Sequence, residues 1–456
     1  MAAKPRRGRQ GRPARRTVPQ AAVEGQVIGL GRGGDGLVET EDGRRLFAAG
    51  TVPGDRVRVR PQAAAAVDRN AGGPGPADLV ELLSGGADRV AAPCPHFPPP
   101  GGAGCGGCQM QMLAWPAYLD WKAGLARDAL ARAGVPPERV PAPVVAPERS
   151  RRRAGFALLR QPDGVRIGFR GRRSHRVEDL TDACLVCAPD LLAVLPPLRT
   201  LGTELLRPGQ ALSVQATATE GGLDLVLRGA AVATPDVWPQ LVAFAEAADL
   251  ARLSTAADDR QPAEPVLLRR PPQLRFGPVP VVPAPGGFLQ AVAAIEARMQ
   301  ADVAGWLDGA ARVLDLYAGC GTLSLPLVDS ATIHAVDGDT AALAALQAAA
   351  DAAGRGGRVR VQARDLARFP LVGPDLAGHD AAILDPPRQG AAEQAAALAT
   401  AAPAGLRRLA AVSCNPVTLA RDLERLFAGG WRLGALRLYD QFLWTPHLEL
   451  VALLER

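Results

Sequence analysis

From about residue 290 the chain falls into a regular alternation. Apolar runs at 312–317, 332–337, 359–363, 381–385 and 408–413 alternate with Ala/Leu-rich stretches of helical spacing. Strands and helices alternating at this interval predict a parallel sheet covered on both faces, an α/β doubly wound domain. Ligands of such sheets bind beyond the carboxyl ends of the strands, so the residues at those ends are the candidates for chemistry. Residues 23–60 follow another pattern. Short β-branched runs are broken by glycines, Asp42-Gly43 reads as a hairpin turn, and Arg56, Arg58 and Arg60 alternate with Val57 and Val59. This predicts a small OB-like β-barrel over 23–62, with an arginine face that suits a phosphate backbone or is simply solvated. Residues 61–78 have linker composition. Between them and the last domain, 115–134 has helical periodicity and 212–229 is strand-like. A central α+β region is therefore expected over 76–288, with 289–456 as the doubly wound domain.

A chain of 456 residues, 48% hydrophobic and 21% charged, is neither disordered nor a coiled coil and is long enough for two or three domains. No apolar stretch of about 20 residues is free of charge and proline, and no apolar segment follows the basic N-terminus. A soluble, cytoplasmic monomer without a membrane partner is expected. The net charge of +6 sits in residues 1–22, which hold Lys4, Arg6, Arg7, Arg9, Arg12, Arg15 and Arg16 and no acid. That segment reads as a disordered tail, either solvated or able to scan phosphate backbones. Lys4 and Lys122 are the only lysines among 52 basic residues.

The strand ends carry the chemistry. The first leads into Asp315-Leu316-Tyr317-Ala318-Gly319-Cys320-Gly321-Thr322; the third glycine of a dinucleotide fingerprint is replaced by Ser324. Asp337 ends the second strand, placed to bind ribose hydroxyls, and Asp365 follows the third. Three carboxylates around a tight glycine turn fit S-adenosylmethionine, which is cationic and lacks phosphate; NAD and plain loop acids are the alternatives. The fourth strand ends in Asp385-Pro386-Pro387-Arg388, and the fifth in Ser413-Cys414-Asn415-Pro416. Asn415 and Pro416 suit a helix start, where the dipole favours a Cys414 thiolate, so Cys414 reads as a nucleophile or else a buried structural cysteine. In Thr445–Leu450, His447 and Glu449 are expected on one strand face, making Glu449 either a base or a solvated edge carboxylate. Read by spacing alone, Cys105/Cys108 and Cys184/Cys187 suggest zinc, although the gap between the pairs is long; four thiolates including Cys94 also suit a [4Fe–4S] cluster.

Taken together and in order, VLDLYAGCGTLSLPL, ILDPPRQG, VSCNPVTLARDL and HLEL closely resemble the RNA uracil-C5 methyltransferase family. The resemblance implies a C-terminal Rossmann-like class I methyltransferase domain, an N-terminal TRAM barrel, and a central iron–sulfur domain like that of the bacterial 23S rRNA members. It makes Cys414 the nucleophile and Glu449 the base, and puts Gln290, Tyr317, Thr322, Asp337, Asp365 and Asp385 around S-adenosylmethionine and the uracil. It also makes Cys94, Cys105, Cys108 and Cys184 the ligands of a [4Fe–4S] cluster, with Cys187 spare. Departures are Thr322 where the family has asparagine, Asp337 where it has glutamate, and Val292 close after Gln290 in place of its F-x-Q-V-N motif. The implied activity is formation of 5-methyluridine in RNA, with ribosomal RNA the expected partner. A transfer RNA uracil-C5 methyltransferase and an RNA cytosine-C5 methyltransferase are the alternatives.

Overall fold

The computed structural model describes residues 21–62 and 73–456. The basic segment expected as a tail, up to residue 20, and the middle of the expected linker lie outside the described residues. The chain divides into two compact units, one of residues 1–89 with 100–102 and one of residues 90–99 with 103–456.

In the first unit five strands close a barrel: Val23–Leu30, Gly36–Thr40, Arg45–Ala48, Arg56–Pro61 and Gly75–Ser84. Val57 and Val59 are fully buried inside it with Val27, Val38 and Ala48. Gly43, at φ 76°, makes the hairpin turn read from Asp42-Gly43. Two expectations change. The barrel does not end at 62, because Gly75–Ser84 fills the gap between Arg45–Ala48 and Arg56–Pro61. Register shifts at Arg56/Val57 and Arg58/Val59 break the alternation that would have exposed this strand in the sequence. The arginine face is also partly satisfied at home, since Arg58 pairs with Glu24 at 2.8 Å and with Glu81.

The second unit contains an eight-stranded sheet in the order 359–363, 332–337, 312–316, 381–384, 408–413, 449–455, 432–440 and 144–145. The first five strands are parallel, as the alternation predicts, and Glu449–Glu455 runs antiparallel to Arg408–Ser413. Its two faces bury separate cores. Ile295, Met299, Leu343 and Leu346 cover one; Leu398, Leu419, Leu423 and Leu426 cover the other. The helix Trp115–Leu130 joins the second of these through Ala126 and Leu130, and Val144–Val145 extends the sheet. Part of the stretch expected to be a separate central region is thus built into the C-terminal sheet. The rest forms a mixed six-stranded sheet around Phe156, Leu158, Val214, Leu225 and Leu253. The strand-like run at 212–229 is a hairpin within it. Among the described residues no helix is long and apolar enough to cross a membrane.

Candidate active site

All the parallel strands point their carboxyl ends into one cavity of about 890 Å³ within the second unit. Gln290, Tyr317, Thr322, Asp337, Asp365, Asp385, Cys414 and Glu449 all line it, so the candidate catalytic and cofactor residues read from the sequence come together. The loop after Arg312–Leu316 is tightly wound. Tyr317 sits in the left-handed region at φ 63°, and Gly321 does so at φ 85°, with Leu325 Cγ only 2.8 Å from where a Cβ would stand. The Gly319 N–H donates to Asp337 Oδ2 at 2.8 Å, and the Asp339 N–H donates to Oδ1 at 2.7 Å. Asp337 therefore ties the loop of the first strand to the end of the second.

The acids in the cavity repel one another. Burial first, and then the charges of Asp315 and Asp337, push Asp385 up to about 7. Asp315 is likewise pushed up to about 7 by burial and by Asp337, and its Oδ2 is buried without a hydrogen-bond partner. Such a cluster favours a ligand that brings positive charge.

Cys414 lies at the tip of Arg408–Ser413, half-buried, immediately before the helix Pro416–Ala428. The Asn415 side chain caps that helix by accepting from Val417 N–H at 3.1 Å, and its Nδ2 donates to the Arg388 carbonyl at 3.2 Å. The Asp385–Arg388 turn is thereby fixed against the cysteine loop. The surroundings of Cys414 do not favour the expected thiolate. Burial, then the charges of Glu449 and Asp385, push the Cys414 thiol up to about 11, against a lowering by Arg388. Burial, helped by the neighbouring acids, outweighs the helix start.

Glu449 is 4% exposed, and burial followed by the Asp385 charge pushes it up to about 8. Its partner is Gln441, a residue the motif reading passes over. Gln441 Nε2 donates to Glu449 Oε2 at 3.1 Å and to Gln290 Oε1 at 2.7 Å, while its own Oε1 accepts from Ala291 N–H at 2.9 Å. The sequence signal available was a polar pair, Asp440-Gln441, ending an apolar strand; both side chains are buried. His447 differs from expectation. It precedes the strand Glu449–Glu455 rather than sharing its face, stands outside the cavity lining, and packs edge-on against Phe442 at 6.0 Å.

The segment from Asp440 to Glu449 is held from beneath by a fully buried ion pair, Lys122 Nζ to Asp440 Oδ1 at 2.8 Å. Tyr118 O–H donates to the other Asp440 oxygen at 2.5 Å, and Lys122 also donates to the His447 carbonyl. One of the chain's two lysines is thus fully buried as a compact ammonium that donates to Asp440 and to the backbone carbonyls of Phe442, at 3.5 Å, and His447. Lys122→Met should destabilise the protein by about 3–5 kcal/mol, because it strands Asp440 as an unpaired buried charge. Urea unfolding checks this; a loss below about 1 kcal/mol would mean the pair contributes little.

The cysteine-rich segments also converge. Cys105 is pushed up to about 11 and Cys108 to about 12, by burial first and also by the charges of other thiols, Cys94 and Cys184 among them. Cys184 is instead drawn down to about 6, first by a hydrogen bond from Cys187, which it keeps protonated. The Gly107 N–H donates to Cys105 Sγ at 3.3 Å. Among the described residues no group of three or more His, Cys, Asp or Glu side chains is arranged so that it could hold a metal ion.

Known proteins share both this architecture and its sequence. Residues 359–456 match the family model for tRNA (uracil-5-)-methyltransferase. An RNA methyltransferase of Brucella suis biovar 1 is 38% identical over 94% of this chain and 97% of its own length. The 23S rRNA (uracil(1939)-C(5))-methyltransferase RlmD of Halomonas elongata is 34% identical over 94% of this chain and 88% of its own, and the same enzyme of Alkalilimnicola ehrlichii is 33% identical over 97% and 98%. The crystal structure of Pyrococcus abyssi tRNA (uracil-54, C5)-methyltransferase in complex with S-adenosyl-L-homocysteine matches with a TM-score of 0.69, covering 94% of this chain and all of that one at 19% identity. That match over nearly the whole chain gives the fold, a class I methyltransferase fold with its cavity at the strand ends. The chain belongs to the RNA uracil-C5 methyltransferase family, and it is an enzyme of that kind.

Proposed function

We propose that the enzyme methylates carbon 5 of a uridine in 23S rRNA, using S-adenosylmethionine and a covalent cysteine adduct. The observation that carries this reading is the meeting of Cys414, Glu449 and the acids Asp315, Asp337 and Asp385 in one cavity. The acids suit a sulfonium, Asp337 stands where ribose hydroxyls are bound in such sheets, and Asp365 lines the same cavity. Carbon 5 of uracil is a poor nucleophile, so Cys414 first gives up its thiol proton to solvent, a loss that a cationic cofactor beside the acids favours; the thiolate then adds to carbon 6, and the ring electrons move to the carbon 4 oxygen. The resulting enolate attacks the methyl group through carbon 5, and S-adenosylhomocysteine leaves. Glu449 then takes the proton from carbon 5, the double bond re-forms, and the cysteine departs as a thiolate. Gln290 and Gln441 orient Glu449 through their shared hydrogen bonds.

The ribosomal substrate is favoured by full-length relatives at 33–34% identity that are named for 23S rRNA. Nucleoside mass spectrometry of mapped RNA fragments from a deletion strain tests it. Loss of one 5-methyluridine from 23S rRNA is the expected result; loss from transfer RNA alone would move the substrate there.

Cys94, Cys105, Cys108 and Cys184 are proposed to hold a [4Fe–4S] cluster. Support for this comes from the resemblance together with the mutual charge effects that place these thiols near one another, and from the Gly107 N–H bond to Cys105, which suits a cluster thiolate. The cluster would tie the 94–108 segment to Cys184 covalently, and methyl transfer calls on no redox step. Anaerobically purified protein should be brown with about four irons per chain. Cys184→Ser should lose that iron and Cys187→Ser should keep it. A colourless protein with one zinc would contradict the assignment.

A further inference from the structure

The cavity is acidic in its depths and basic at one wall. Three consecutive arginines cross that wall at the start of the strand Arg153–Gln161, and they divide between its two sides. Arg152 turns inward, donating to Glu296 at 2.6 Å and to the Gln290 carbonyl at 3.2 Å. Arg151 and Arg153 face the cavity instead. Each lies over an aromatic ring: Arg151 is 5.8 Å from the Phe442 ring centroid, and Arg153 is 5.7 Å from that of Phe288, which is 72% exposed. Arg153 Nε is buried without a hydrogen-bond partner. Arg228, on the same lining, pairs with Asp259, whereas the charge acting on Arg153 is that of Arg151. Burial and that like charge both weaken the protonated form of Arg153, and an anion would relieve both.

We propose that Arg151 and Arg153 form a clamp for the RNA phosphate that flanks the target uridine. This rests on the proposed function and adds the subsite that orients its substrate. A uracil must leave its stack to reach Cys414, so its backbone has to be held at the cavity wall. Two guanidiniums positioned over rings present forks of N–H donors, the geometry that matches phosphate oxygens. The methionyl carboxylate of the cofactor is the competing anion, and the test separates the two.

The probe is a single-stranded uridine-containing oligonucleotide, with binding followed as a function of salt. Each phosphate neutralised contributes about 0.7 to the slope of log affinity against log salt for single strands. Arg151→Gln and Arg153→Gln should each lower the slope by about 0.7, weaken RNA binding about tenfold, and leave S-adenosylmethionine affinity as in the wild type. Arg153→Lys should keep the slope while still weakening binding, because it retains the charge and loses the guanidinium fork. Replacing the linkage beside the uridine with a neutral methylphosphonate should cost the wild type affinity and cost Arg153→Gln little more. Unchanged slopes in both glutamine variants would overturn the clamp, as would an equal loss of S-adenosylmethionine affinity. These binding outcomes are independent of turnover; a wild type that forms no 5-methyluridine would instead count against the proposed function.

Discussion

Glu449→Gln should leave the enzyme able to methylate once and unable to let go. The substitution keeps the shape of the side chain and its contact with Gln441 Nε2, and removes only the capacity to take a proton. Addition of Cys414 and methyl transfer precede the step that needs a base, so both should proceed. Elimination should then fail, and a methylated RNA should remain attached to the protein, migrating as a slow band on a denaturing gel. General bases contribute about 10²–10⁴-fold, so steady-state turnover should fall by that order. In the wild type the same group sets a pH dependence. Glu449, held up at about 8 by burial and by Asp385, is protonated and idle as a base below that value. Single-turnover release should therefore rise with pH and level off above about 8. His447→Ala should slow the reaction without trapping the adduct, because His447 lies outside the cavity lining. Normal turnover by Glu449→Gln would remove Glu449 from the mechanism.

Cys414→Ala should reduce methylation to background while S-adenosylmethionine still binds, since the cofactor acids and the glycine loop are untouched. The wild-type thiol has its own signature. With Cys414 pushed up to about 11 in the free enzyme, alkylation by iodoacetamide should be slow at neutral pH. It should accelerate about tenfold per pH unit as the thiolate forms. A cationic cofactor placed beside Asp385 offsets one of the charges that hold the thiol neutral, so S-adenosylmethionine should speed alkylation of any Cys414 it leaves accessible, relative to neutral S-adenosylhomocysteine. Equal rates with the two ligands would mean the acids do not control the cysteine.

The parallel sheet was legible because each strand is a short apolar run with a chemically marked end. Asp315, Asp337, Asp385 and Cys414 could be placed at one rim from spacing alone. The fifth barrel strand was not legible, because register shifts spoil its alternation and its pairing partners are distant in sequence. Gln441 was hidden for a different reason. Its importance comes from contacts with Glu449 and Gln290, one of them 151 positions away, and no local pattern records such a meeting. The state of Cys414 was not legible from local structure, since a helix start favours a thiolate whereas the burial that opposes it, and the acids that add to it, come from the tertiary fold. Lys122 carried a compositional signal, a lysine in a chain that otherwise uses arginine, but its partner Asp440 lies 318 residues on. Motif chemistry at strand ends is local; what holds and tunes it is not.

The covalent step is tested most directly by incubating the enzyme with S-adenosylmethionine and substrate RNA carrying 5-fluorouridine at the target position. Fluorine cannot leave as a proton, so the reaction should stop after methyl transfer. Intact mass spectrometry should then show enzyme, RNA and one methyl group in a single species, with the RNA on the peptide that contains Cys414. The absence of any adduct from an enzyme that methylates ordinary RNA, or an adduct that persists in Cys414→Ala, would contradict the account.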